Sequence, residues 1–224
     1  MGGLLLLLVT AATADDSPLG RMQAWVGHGA PLVAGYDATA ECSGPRGEYR
    51  TRIAFRRADG WARFTQWRGE TQTWDSVALG EDSWVTGDAS HWAEGDVDVL
   101  ARILGHHFLA MVLAPERVFR QLGPTRKGRL GDEPVLWVSG HDVAGHPVEL
   151  ALHSSGRLVA ARITWGGAVG TLTLRFSGWE RVGSVQLPLS VRIDQGKDAF
   201  RFRFRAPRLE PPDDAGWRPA GAGG

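Results

Sequence analysis

Seven histidines, one cysteine and scattered carboxylates are the residues in this 224-residue sequence from which a metal centre or a nucleophile would be built. Metal ligands on a helix want a spacing of three or four residues. His106 and His107 are adjacent, so on a helix they point in different directions. His141, His146 and His153 surround a hairpin with Asp142 and would in principle meet there, but neither cysteine nor closely spaced carboxylates accompany them. Glu94, Asp96 and Asp98 read better as charges at a helix start than as an acid–base set. Cys42 has no Cys-His motif beside it and reads as a buried, inert thiol at a strand end. Gly-x-Ser-x-Gly, His-Glu-x-x-His, a phosphate loop and a dinucleotide fingerprint are all missing. No nucleophile, base and orienting group can be assembled from spacing, so neither catalysis nor a cofactor or metal is expected.

What the sequence does concentrate is rings. Five tryptophans fall between Trp61 and Trp92, and Phe64 stands at the opposite strand parity to Trp61 and Trp67. Such a cluster is either a packed core of cross-strand aromatic pairs or the wall of an apolar cavity. A packed core is the commoner fate of sheet aromatics, and large rings at both parities of one strand strengthen the cavity reading beside it. Its expected lining is Trp61, Phe64, Trp67, Trp74 and Trp84, with Leu104, Phe108 and Met111 supplied by a helix.

The elements that would position these residues are legible in hydrophobic periodicity. In Val185 to Ile193 every odd position is apolar and no even one is; Phe200 to Arg205 alternates as strictly. A period of two gives a strand one dry and one wet face. The same holds at Val148 to Leu152, Val159 to Trp165 and Leu172 to Phe176, with turns expected at Ser154-Ser155-Gly156, Gly166-Gly167, Ser177-Gly178 and Asp194 to Lys197. Val148 to Arg205 is therefore an antiparallel meander with one apolar face. Pro188 suggests that its strand is at an edge or bulged.

Upstream, strands are expected from Tyr36, from Tyr49 to Phe55, Trp61 to Trp67, Thr71 to Leu79 and Ser83 to Thr86, with Asp59-Gly60 as a hairpin signal. Ser17 caps a short helix that ends near Gly27. Asp96 to Leu113 reads as one helix, apolar over so much of its circumference that it must be sandwiched or plug a cavity. Pro115 ends it, Glu116 to Leu122 follows as a short helical turn, and Gly123 to Glu133 reads as a polar connection.

Twenty-five basic residues against 25 acidic ones argue against nucleic acid as a partner. Arg201, Arg203 and Arg205 read as a solvated sheet face. Leu4 to Val9 followed by Ala12-x-Ala14 resembles an export signal cleaved after Ala14, too short to span a bilayer. No Lys or Arg precedes it, which is compatible with a start upstream of Met1. No cysteine follows it, so no acyl anchor is expected, and the mature chain would be a soluble periplasmic or secreted protein. Residues 15–209 form one domain, and 210–224, rich in Pro and Gly, read as a disordered tail.

The order of elements, together with particular stretches, resembles the superfamily of the lipoprotein carrier LolA, the receptor LolB and the regulator RseB. These stretches are Gly80-Glu81-Asp82-Ser83-Trp84-Val85, Val148 to Ile163 with Ser155-Gly156-Arg157-Leu158, and Ser177 to Pro188. The resemblance covers roughly Tyr36 to Leu209 and implies an unclosed β-barrel whose concave apolar face is covered by helices. It further implies binding of a lipid, acyl chain or lipoprotein between sheet and lid. An exported carrier of an apolar ligand is the leading expectation. A cell-envelope interaction or sensory module that uses a strand edge or the arginine face for a protein partner is the second. A secreted hydrolase built on His141, Asp142 and His153 is a distant third.

Overall fold

The computed structural model describes residues 17–87, 91–165 and 170–219. The expected export signal at 1–14 and the Gly166-Gly167 turn lie outside them.

Among the described residues the strands form one antiparallel sheet of fourteen members that does not close, an open half-barrel. One meander comprises β1 (Gly35–Gly44), β2 (Gly47–Arg56), β3 (Trp61–Arg68), β4 (Thr71–Leu79), β5 (Asp82–Thr86) and β6 (Ala93–Gly95). The second comprises β9 (Glu133–Asp142), β10 (Pro147–Leu152), β11 (Leu158–Thr164), β12 (Thr171–Val182), β13 (Val185–Gln195) and β14 (Asp198–Arg208). Pairing of β1 with β14 joins the two, so neighbours run from β6 back to β1, then from β14 back to β9. The far edge of β9 is shared by β7 (Phe119–Arg120) and β8 (Thr125–Leu130).

The helices lie where the chain passes from one sheet edge to the other. After β6 come α2 (Val97–Gly105), α3 (Ala110–Leu113) and α4 (Pro115–Val118), which leads into β7; α1 (Pro18–Val26) precedes β1. Ser17 caps α1, its Oγ accepting from the Gly20 amide at 3.0 Å, as expected. The turn between β10 and β11 comes so close to α1 that a Cβ on Gly156 would sit 2.3 Å from the Arg21 carbonyl oxygen. With φ at +92°, that position suits only glycine.

One large core fills the concave face. It unites Tyr36, Ile53, Phe64, Leu104, Phe108, Met111, Leu174, Val191, Phe202 and Phe204 with the buried sides of the helices. The alternation expected of β14 is present: Phe202 and Phe204 are buried, Arg201, Arg203 and Arg205 exposed.

Four expectations are corrected. The single helix over Asp96 to Leu113 is broken at His106-His107, where both amides turn back to the carbonyls of Ile103 and Leu104. The apolar pattern runs through the break, but His107 is held by Tyr36 from β1, and that contact redirects the chain. The connection over Gly123 to Glu133 contains β8, an edge strand whose exposed, charged residues suit an edge and hide the strand pattern. Ser177-Gly178 does not turn the chain but lies inside β12, with Gly178 at a φ of +60°. Strand β13 is central rather than an edge strand, but Pro188 pairs only with Trp179 of β12, just beyond the register shared with β14, so its missing amide breaks no bond of that ladder.

Of the expected tail, residues 210–219 are described and 220–224 are not. Residues 210–219 lie along the convex face. Asp214 accepts from Arg52 at 3.0 Å and from Arg63 at 3.1 Å, and the Trp61 indole donates to the Trp217 carbonyl at 2.9 Å. The Arg63 guanidinium also stacks over the Trp217 ring, 4.6 Å from its centroid.

Candidate ligand cavity

The site forms where α2 crosses the first meander. Asp96 caps that helix, its side chain accepting from the Val99 amide at 3.0 Å. From there the helical repeat carries Val99, Arg102, Ile103 and His106 down one face, toward the sheet. A cavity of about 330 Å³ lies beneath them. Phe64 and Gln66 of β3, Trp74 and Ser76 of β4, and Val85 of β5 form one wall. Leu172, Ile193, Phe200 and Phe202 of the second meander form another, with Tyr49 and Gln195 completing the lining. The polar-to-apolar balance is that of a small-ligand pocket: apolar walls with a few convergent polar groups.

The lid is tied at both ends. Near its start, Asp98 lies 3.3 Å from His146 Nε2 in the β9–β10 turn. The other nitrogen of His146 lies 3.0 Å from the buried Asp142 carboxylate, which also accepts from the Trp165 indole at 3.1 Å. Past its end, His107 Nδ1 lies 2.8 Å from the Tyr36 hydroxyl. The Arg57 guanidinium donates to the carbonyl of Leu113, which closes α3, and to that of Ala30 at 3.1 Å.

Two bases line the cavity. Arg102 is exposed, and among the described residues no carboxylate is paired with it. His106 packs between Phe64 and Trp165, ring centroids 5.3 and 5.9 Å away. Burial pushes its pKa below the ordinary imidazole range, against the opposing effect of its bond to the Arg102 carbonyl. A carbonyl only accepts, so Nδ1, 2.7 Å away, carries the proton and Nε2 of the neutral ring is left an acceptor.

Of the residues expected to line a cavity, the structure brings Phe64 and Trp74 to it. Leu104, Phe108 and Met111 are buried in the adjoining core; Phe108 meets the wall residue Phe202 edge-on at 5.0 Å. Trp61, Trp67 and Trp84 are not cavity residues. On β3 the concave phase belongs to Ala62, Phe64 and Gln66, which turns Trp61 and Trp67 outward. Trp61 and Trp84 pack with Ala54 and Val77 in a small convex cluster, and Arg50 covers the Trp67 ring at 5.2 Å. Val85, not Trp84, is the wall residue of β5. The lining missed from sequence was within reach: Leu172, Ile193 and Phe202 occupy the dry phase of the strictly alternating strands, and Val99, Ile103 and His106 lie at helical spacing.

The histidines do not assemble a metal centre; no group of three or more potential ligands occurs among the described residues. His153 turns to Ser155 at 2.8 Å, away from the Asp142–His146 pair. Cys42 is buried at the end of β1 beside Thr51 Oγ1, 3.3 Å away, and burial pushes its thiol up to about 12, which keeps it protonated and unreactive.

No family model and no curated protein matches the sequence. Solved structures do match the fold. A LolA superfamily protein from Nitrosomonas europaea superposes with a TM-score of 0.57 at 14% identity, covering 91% of this chain and 96% of that one. A DUF1329 family protein from Desulfovibrio piger gives 0.56 at 8% identity, over 85% and 90% of the two chains. A Vibrio parahaemolyticus domain named for outer-membrane lipoprotein sorting gives 0.55 at 9%, with the same coverages. An open antiparallel half-barrel with helices across its concave face, matched along nearly its whole length, is the LolA-like fold.

Proposed function

We propose that this chain is an exported, non-catalytic binder or carrier of an apolar ligand, held between α2 and the concave face of the sheet. The observation that carries this reading is the cavity itself: the lid does not fill the space beneath it, and the space is walled by Phe64, Val85, Ile103, Leu172, Ile193 and Phe202. A core packed for stability alone closes such voids, because each forfeits van der Waals contacts and costs stability in proportion to its volume. The name of the Vibrio neighbour, for lipoprotein sorting, supports a lipid or acyl chain as the ligand class.

The apolar run at Leu4 to Val9 with Ala12-x-Ala14 supports export to the periplasm or beyond. No helix among the described residues is long and apolar enough to cross a membrane.

The test is a titration with N-phenyl-1-naphthylamine, a neutral apolar fluorophore that brightens out of water. The wild-type protein binds it saturably, and dodecanol displaces it. Val85→Trp, which fills the cavity from its wall, abolishes the signal while the far-ultraviolet spectrum is unchanged. Equal binding by both proteins would place the probe elsewhere and end this reading.

A further inference from the structure

We infer that the occupant of the cavity is a single-chain amphiphile with a carboxylate head, the chain lying against the apolar wall and the head held by Arg102. This rests on the apolar-ligand reading above and adds the ligand's class.

The size of the cavity sets the chain number. At about 330 Å³ it stands at the small end of ligand pockets, which run from about 300 to 1,000 Å³, and suits one chain rather than several.

The charges set the head. Among the described residues no Asp or Glu lines the cavity, so none of them would receive a cationic head. The ordinary helical partner of Arg102 would be Asp98, one turn earlier at i−4. Asp98 is instead engaged by His146 Nε2 at 3.3 Å across the gap to the β9–β10 turn. Arg102 is thereby left at the cavity with no carboxylate partner among the described residues. Its place in the last turn of α2 accounts for a cation there, since the helix terminus is negative. It does not account for a lining position beside apolar walls. His106 adds no competing positive charge, because its ring is neutral. A guanidinium matches a carboxylate with two parallel N–H···O bonds, the strongest neutralisation it can find.

Three probes of one chain length separate the possibilities: dodecanoate, dodecanol and dodecyltrimethylammonium, each below its micellar concentration at pH 8. They are titrated calorimetrically into the wild-type protein, Arg102→Gln and Arg102→Lys. The wild type binds dodecanoate at least about tenfold more tightly than dodecanol, equivalent to about 1.4 kcal/mol, and binds the ammonium probe least. Arg102→Gln levels dodecanoate with dodecanol; Arg102→Lys keeps part of the preference. Equal wild-type affinity for dodecanoate and dodecanol, or an undiminished preference in Arg102→Gln, overturns the carboxylate assignment and leaves the apolar site standing. Failure of all three probes to bind overturns both.

Discussion

The Tyr36 hydroxyl lies 2.8 Å from His107 Nδ1, and this bond joins the first strand to the point where the lid helix breaks. Both residues are fully buried, and they are 71 positions apart. The bond fixes the chain to β1 just past the end of α2, the helix whose face reaches the cavity. Tyr36→Phe leaves a buried ring nitrogen without a partner, which costs about 1–3 kcal/mol. A urea midpoint lowered by that amount, with the slope unchanged, is the expected result. A midpoint equal to that of the wild type would show that the bond does not stabilise the break.

His107 also makes stability depend on acid. Burial, reinforced by the neighbouring His106, holds its pKa down to about 3, whereas an unfolded histidine titrates near 6.5. The folded protein thus binds fewer protons than the unfolded chain between these values. Its contribution is fully present above about pH 6.5 and is lost as pH falls toward 3, at roughly 1.4 kcal/mol per pH unit. The lowered pKa of His106 acts in the same direction. Asp37 and Asp214 add their own losses only at lower pH. Burial opposes their ionisation, but arginine hydrogen bonds hold both carboxyls below the usual range. Urea titrations between pH 7 and 4.5 isolate the imidazoles: stability falls in the wild type and falls less steeply in His107→Gln. A flat profile in the wild type would contradict a neutral buried His107.

The C-terminal segment is predicted to act as a strap. Asp214 pairs with Arg52 and Arg63, and Trp61, fully buried, donates its indole N–H to the Trp217 carbonyl. Truncation after Leu209 uncovers that indole and removes one of the two carboxylate partners of each guanidinium, leaving Arg52 on Asp37 and Arg63 on Asp75. A loss of about 1–3 kcal/mol is expected, with tryptophan fluorescence more readily quenched by acrylamide. An unchanged midpoint and unchanged quenching would mean that the segment does not cover Trp61 in solution.

Much of this architecture is legible in the sequence wherever a strand has one wet and one dry face. The alternation of Val185 to Ile193 and of Phe200 to Arg205 places β13 and β14, and the Ser17 cap places α1. Periodicity fixes relative phase, not the identity of the concave face. Parity therefore separates Phe64 from Trp61 and Trp67 without saying which of them faces the cavity. The break at His106-His107 is invisible locally because the apolar pattern continues through it, and a partner on β1 decides it. Strand β8 lacks a dry face. The strap is composed like a disordered tail, and only arginines 151 and 162 residues away give Asp214 a fixed place.

Whether the cavity carries a ligand is tested most directly by native mass spectrometry of the protein purified from its own cells. The wild type is predicted to carry an added mass that organic solvent removes and that fragments to an alkyl chain. Val85→Trp, prepared in parallel, is predicted to run at the bare chain mass. An equal added mass on both would put the lipid outside the cavity. A wild type that stays bare and takes up no dodecanoate when incubated with it would contradict a ligand-binding cavity altogether.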